Sequence, residues 1–307
     1  MTATVKLEEK AQQNTSAAPS ISLARIMVAT DFSQVADRAI DYAVSLARRF
    51  NSRIYLTHVL NFQAYEAVEP NLGSFTMAKP WQIAEDKVRA IVASGRLAGV
   101  SNEVIIEEGN LWPELERLIE KNDIDLLVLG THGVSGSLKV VIGSCAEQIF
   151  RQARIPVLTV GPGVTQDSPF EAEFRSILFA TDFGPGAERE AAFAFSIAQE
   201  HRAKVMFLHV APFKTGVPQL DAVAERELIT KQLKELLPRS DKLQCKPEIH
   251  IAYGEPVLEI LRLAGETKAD LIVIGATKGG SFSGHLPNTK AYAVVRDAKC
   301  PVLTIKS

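Results

Sequence analysis

Arg25-Ile-Met-Val-Ala-Thr-Asp31-Phe32 and Arg175-Ser-Ile-Leu-Phe-Ala-Thr-Asp182-Phe183 read as one motif written twice, 151 residues apart on the aspartates. Each is a short apolar run that stops at a polar turn. Working outward, Leu56-Thr-His58-Val59 returns as Leu208-His209-Val210 at the same offset. Gly109-Asn-Leu-Trp-Pro-Glu-Leu returns as Gly254-Glu-Pro-Val-Leu-Glu-Ile, now at an offset of 145. Asp125-Leu-Leu-Val-Leu-Gly130 matches Asp270-Leu-Ile-Val-Ile-Gly275, and Pro156-Val-Leu-Thr159 matches Pro301-Val-Leu-Thr304, both at 145. One deletion ahead of the third strand region accounts for the change in offset. Self-similarity over this span is the mark of a duplicated domain. The division expected is a disordered polar tail over 1–20, a first domain over 21–162, a turn-rich linker over 163–173 and a second domain over 174–307.

Length and composition agree with this division. A chain of 307 residues accommodates two domains, and 46 % hydrophobic with 23 % charged residues is ordinary globular usage. A net charge of −2 provides no basic field to hold a nucleic-acid backbone. No apolar run approaches the roughly 18 residues that span a bilayer. Cys145, Cys245 and Cys300 are an odd, widely spaced set, against a disulfide framework or a Cys-x2-Cys metal site. Met1–Ser20 lacks the apolar core of a secretory signal, so the expected location is the cytoplasm.

Within each copy, strands alternate with helices. In the first, strands are expected at Ile26–Ala29, Ile54–Leu60, Asn102–Glu107, Leu126–Leu129 and Val157–Val160, with helices at Ala36–Phe50, Trp81–Leu97 and Pro113–Lys121. Near-continuous apolar strands between helices indicate a mostly parallel sheet covered on both faces. The fold class expected is α/β: two tandem, doubly wound, Rossmann-like domains of five strands. Periodicity alone does not give strand order; 3-2-1-4-5 is one of two common solutions and is the order adopted.

That order reverses its winding between strands one and four, and ligands bind beyond the carboxyl ends of strands at such a point. After strand one comes Ala29-Thr30-Asp31-Phe32-Ser33. After strand four comes Gly130-Thr-His132-Gly133, then Gly143-Ser144-Cys145 at a helix start. Glycines let a backbone approach a bulky polyanion, and a helix N-terminus near Ser144 favours phosphate. Asp31 repels phosphate but accepts hydrogen bonds from an adenine amine or a ribose hydroxyl. It can equally be a plain helix N-cap, and the glycines plain loop residues.

The spacing Gly130-x2-Gly133-x9-Gly143-Ser144 resembles the ATP-binding pattern of the universal stress proteins, as do Ala-Thr-Asp-Phe-Ser and the closing Pro-Val-Leu-Thr-Val. The resemblance covers 21–160 and 174–307. It implies an adenine-nucleotide-hydrolase-like sheet in the order 3-2-1-4-5 with an ATP site at its edge. By position it implies that Ala29, Asp31 and Val59 hold the adenine side, with Thr30 beside them. Leu129 and Gly130 frame the nucleotide, and Gly133, Gly143, Ser144 and Cys145 line the phosphates. His132 is either a further phosphate contact or an exposed loop residue. Mg²⁺ can accompany the nucleotide, but no carboxylate cluster marks a protein metal site. The resemblance also implies pairing of the two copies through Val157–Val160 and Val302–Ile305, and it allows a homodimer.

The second copy departs from this pattern. Gly133 maps to Lys278, Gly143 to Asn288, Ser144 to Thr289 and Ile142 to Pro287, which has no N–H to donate. Loss of ATP binding is expected there, with Lys278 either a surface residue or an attractor of a smaller anion. His58 and His209 at equivalent strand ends read as duplicated packing residues rather than a catalytic pair, and Cys300 as core. Asn61–Pro80 is a long loop with Phe62, Tyr65, Phe75 and Met77, able to cover a nucleotide, a partner or a helix. No Gly-x4-Gly-Lys-[Ser/Thr], His-Glu-x2-His or Ser-His-Asp arrangement is present, and no catalytic residue is assigned. The leading function is an ATP-binding stress-response sensor or interaction module with an unidentified protein partner and at most slow hydrolysis. The alternatives are a nucleotidyl-cleaving or transferring enzyme, or a structural pairing module that binds no nucleotide.

Overall fold

The computed structural model describes residues 21–61, 78–131, 144–164, 172–213, 219–237, 247–276 and 290–306. The first half runs β1 (Arg25–Ala29), α1 (Gln34–Phe50), β2 (Arg53–Leu60), α2 (Ala78–Ala93), β3 (Asn102–Glu108), α3 (Leu111–Lys121), β4 (Leu126–Gly130), α4 (Ser144–Gln152) and β5 (Val157–Val160). The second runs β6 (Ser176–Ala180), α5 (Ala187–His201), β7 (Lys204–Ala211), α6 (Gln219–Glu235), β8 (Glu248–Tyr253), α7 (Pro256–Glu266), β9 (Leu271–Ala276), α8 (Lys290–Asp297) and β10 (Val302–Lys306).

The strands form one ten-stranded sheet in the order β3-β2-β1-β4-β5-β10-β9-β6-β7-β8. Each half is therefore 3-2-1-4-5 and parallel throughout, as expected. The halves meet at an antiparallel junction, with Val302 opposite Thr159 and Thr304 opposite Val157. Two buried hydroxyls strengthen it: Thr159 Oγ1 donates to the Val302 carbonyl (3.1 Å) and Thr304 Oγ1 to the Val157 carbonyl (3.2 Å). Each such bond contributes about 1 kcal/mol net.

Alternation along each strand supplies two cores, one per face. Ile26 and Val28 of β1 join α1 and α5 on one face, while Met27 joins α3, α4, α7 and α8 on the other. Both cores contain residues of both halves, so the sheet is a shared floor. Asp125, just before β4, accepts from the Arg25 amide (2.8 Å), and Asp270, just before β9, accepts from the Arg175 amide (2.9 Å). Each carboxylate ties the entry of a central strand to its neighbour.

Helices α1 and α3 each start two residues before their expected positions, at Gln34 and Leu111, and the second helix departs from its expected span at both ends. The second helix begins at Ala78, so Pro80 lies in its first turn, where its missing N–H costs nothing. It stops at Ala93 rather than at Leu97. The turns that follow use Gly95 (φ 78°) and Gly99 (φ 76°), conformations that side-chain-bearing residues resist. The expected tail, the linker segment 165–171 and residues 62–77 of the long loop lie outside the described residues.

Candidate functional site

The winding reverses between β1 and β4 in the first half and between β6 and β9 in the second. At both points the loop after the central strand is built identically. Phe32 N donates to Thr30 Oγ1 (3.1 Å) and Ser33 N to Asp31 Oδ1 (3.0 Å). Phe183 N donates to Thr181 Oγ1 (3.0 Å) and Gly184 N to Asp182 Oδ1 (2.9 Å). The threonine and aspartate side chains thus hold a turn whose phenylalanine sits in the left-handed region, at φ 65° for Phe32 and 60° for Phe183. Non-glycine residues pay strain there, and such strain concentrates at functional sites. Neither aspartate caps a helix: Ser33 caps α1, accepting from Ala36 N (3.1 Å), and Gly186 precedes α5.

Each phenylalanine ring packs on a histidine. The Phe32–His58 and Phe183–His209 centroids are both 4.4 Å apart. His58 Nδ1 lies 2.7 Å from the Thr30 carbonyl, and His209 Nδ1 lies 2.9 Å from the Thr181 carbonyl. A carbonyl only accepts, so each Nδ1 carries the proton. Burial lowers the pKa of His58 from its ordinary value, keeping the ring neutral. These are packing residues that fix the turn, as the duplication suggested. In the first half, Lys87 Nζ stands 5.1 Å above the Phe32 ring.

The first cleft brings several of the expected residues together. Ala29 at the end of β1 is in register with Leu129 of β4, and Thr30 is buried beside them. Val59 lies further along β2, half-buried. Gly130 ends β4. A Cβ there would stand 3.0 Å from Val35 Cγ1 and 3.1 Å from the Ala36 amide nitrogen, so this glycine lets α1 approach the strand. The sequence reading gave it to ligand approach; helix–strand packing already requires it. Ser144 and Cys145 are the first two residues of α4. His132, Gly133 and Gly143 lie outside the described residues, as do Lys278, Pro287, Asn288 and Thr289 of the second copy.

The second cleft holds a cavity of about 340 Å³. Asp182, Glu190, Gly275 and Lys290 line it together with apolar walls. Glu190, on α5, was not anticipated. Its carboxylate carbon lies only 2.8 Å from where a Cβ on Gly275 would be, so the acid rests on that glycine. Burial, helped by the charge of Asp182, raises its pKa to about 7. The signal was present in the sequence: position 190 is 151 residues after Ala39 and falls in the helix's apolar stripe. Among the described residues, no group of three or more His, Cys, Asp or Glu is placed to hold a metal ion. Cys300 is buried, and its thiol pKa is pushed up to about 12, chiefly by burial. Also among the described residues, no helix is long and apolar enough to cross a membrane.

Two copies of a doubly wound sheet, each with a strained Thr-Asp-Phe turn at its switch point, define a tandem, doubly wound α/β protein. The universal stress protein family profile matches residues 23–161 and 173–306, and the chain belongs to that family. A universal stress protein of Thermus aquaticus is 32 % identical over 143 residues, which is 43 % of this chain and 99 % of that protein. One from Mycobacterium tuberculosis (strain H37Rv) is 23 % identical over 310 residues, covering 92 % of this chain and 94 % of the relative. The crystal structure of a universal stress protein from Archaeoglobus fulgidus superposes with a TM-score of 0.65 at 19 % identity, over 93 % of this chain and 99 % of that one.

Proposed function

We propose that residues 21–162 form an ATP-binding domain, that 163–173 link it to a divergent copy at 174–307, and that the chain is a cytoplasmic, nucleotide-dependent stress-response module. The observation that carries this reading is the Thr30-Asp31-Phe32 turn, which fixes an acid at the switch point of the first sheet. Asp31 serves as acceptor for the adenine amine or a ribose hydroxyl, with the backbone at Ala29 and Val59 beside it. The start of α4 at Ser144 and Cys145 follows Gly143 in chain order and supplies amides and a helix dipole for phosphate. Gly130, Gly133, His132 and Leu129 complete the frame. The triphosphate brings its own Mg²⁺, whose role is to neutralise phosphate charge. Among the described residues no general base is assigned for hydrolysis, and slow turnover at most is the expectation. In the second half, the Glu190 carboxylate on Gly275 supports the view that triphosphate is excluded there.

Calorimetric titration of the whole chain with ATP tests this. One site per chain is expected. Gly143→Glu abolishes binding with unchanged thermal unfolding, and Asp31→Ala weakens it tenfold or more, a loss of about 1.4 kcal/mol. Two equivalent sites, or unaltered affinity in Gly143→Glu, overturn the proposal. Pyrophosphate released with AMP would favour the nucleotidyl-transfer reading instead, and a protein indifferent to every adenine nucleotide would favour the pairing module.

A further inference from the structure

The two clefts differ at a position where packing alone would accept alanine. Ala39 on α1 is fully buried. Glu190, its counterpart on α5, is buried as well, with 5 % of its surface exposed, yet it ends in a carboxylate that lines the cavity. Among the described residues, no donor or cation stands within hydrogen-bond or ion-pair distance of that carboxylate. The charged group that acts on it is Asp182, of the same sign. Lys290, exposed at the start of α8, lines the same cavity but lies beyond ion-pair distance of both acids. A buried anion is strongly disfavoured unless something pairs with it. Here the missing partner has room. The cavity of about 340 Å³ is walled by Leu208, Ile260, Ile274 and Val294, and its volume is that of a small-molecule site.

We propose that the second cleft binds a small organic cation, an ammonium or amidinium group on an apolar body, with its charged head at Glu190 and Asp182 and its body against the apolar walls. A cation satisfies both carboxylates at once. A phosphate meets two like charges. A neutral hydrogen-bond donor leaves the repulsion between the acids in place. The positive charge of Lys290 at the rim disfavours a second positive group on the ligand. This assignment stands independently of whether ATP occupies the first cleft.

The charged groups facing Glu190 among the described residues are Asp182 from the loop after β6 and Lys290 from α8. Strands β7 and β9 and helix α7 present apolar side chains and the Gly275 backbone. The pKa of Glu190, at about 7, makes cation binding release a proton, so affinity rises with pH across neutrality.

The test titrates the whole chain with phenethylammonium and benzamidinium at pH 6, 7 and 8, followed by protein-detected NMR. Benzyl alcohol serves as the neutral control, and ATP is titrated in parallel. One cation per chain is expected, bound roughly tenfold more tightly at pH 8 than at pH 6. Glu190→Gln removes both the binding and the pH slope, and leaves the ATP isotherm as it was. Glu190→Ala, which installs the residue of the first copy, gives the same result and covers the case in which the glutamine variant folds poorly. The proposal fails if the cations bind Glu190→Gln undiminished, if benzyl alcohol binds equally well, if ATP displaces the probes, or if no probe binds up to millimolar concentration. Absence of ATP binding in the same samples would count against the first-cleft reading alone.

Discussion

The two halves share their scaffold to the level of single hydrogen bonds and part company at the ligand. Thr30, Asp31, Phe32 and His58 have structural doubles in Thr181, Asp182, Phe183 and His209. Asp125 and Asp270 clamp the same strand entries. Asn51 and Arg202 end α1 and α5 in the same left-handed conformation, at φ 53° and 54°. Against that constancy, an alanine has become an acid in the cleft. Parts that hold the sheet and the turn together are constrained in both copies. The cleft floor is constrained only by what has to fit in it, so it is where duplication leaves room to diverge.

The largest effect that would sharpen this contrast is in the pH dependence of stability. The pKa of Glu190 is raised from 4.5 to about 7 in the folded state, so folding is opposed progressively as pH climbs through that window. Relative to wild type, Glu190→Gln is expected to gain on the order of 2–3 kcal/mol between pH 4.5 and pH 8, measured by urea unfolding. A constant difference across pH would mean that the carboxylate finds a partner in the native state. The next effect concerns the paired glycines. Gly130→Ala pushes a methyl group against the backbone of α1, which cannot swing away, and should cost about 1–3 kcal/mol. Gly275→Ala meets a side-chain carboxylate able to rotate into the cavity, and should cost less; its penalty disappears in a Glu190→Ala background. Equal penalties without coupling to position 190 would remove the distinction between the two glycines. A second pH effect, of opposite slope, lies on the acid side. The pKa of His201 is lowered to about 4, first by burial and then by Arg49, and the ring packs 5.0 Å from Phe174. Wild type therefore loses stability as pH falls from 6.5 towards 4. His201→Phe, which copies Phe50 of the first half, should flatten that limb by on the order of 2–3 kcal/mol.

Much of this was legible in the residues. The repeated Ala-Thr-Asp-Phe and the apolar strands disclosed the duplication and the α/β class, because a buried parallel strand leaves a local signature. Helix ends were less legible. Nothing in the apolar spacing of Val88, Ile91 and Val92 says that the helix stops at Ala93; that depends on the φ values at Gly95 and Gly99. Asp31 and Asp182 were visible as polar residues after a strand, but their place in a turn rather than at a helix cap follows from hydrogen bonds to amides two residues on. Gly130 was read for its freedom towards a ligand, whereas its neighbours are atoms of α1, close only once the helix is docked. Glu190 was passed over because one acid in an amphipathic helix looks ordinary until the strand it faces is known.

The junction between β5 and β10 is antiparallel, while every other pairing in the sheet is parallel. The central strands of one half therefore run opposite to those of the other, and the two crevices open at opposite rims. No one small molecule can occupy both. Each port faces its own side of the surroundings, and a reader of one sees nothing of the other's occupant.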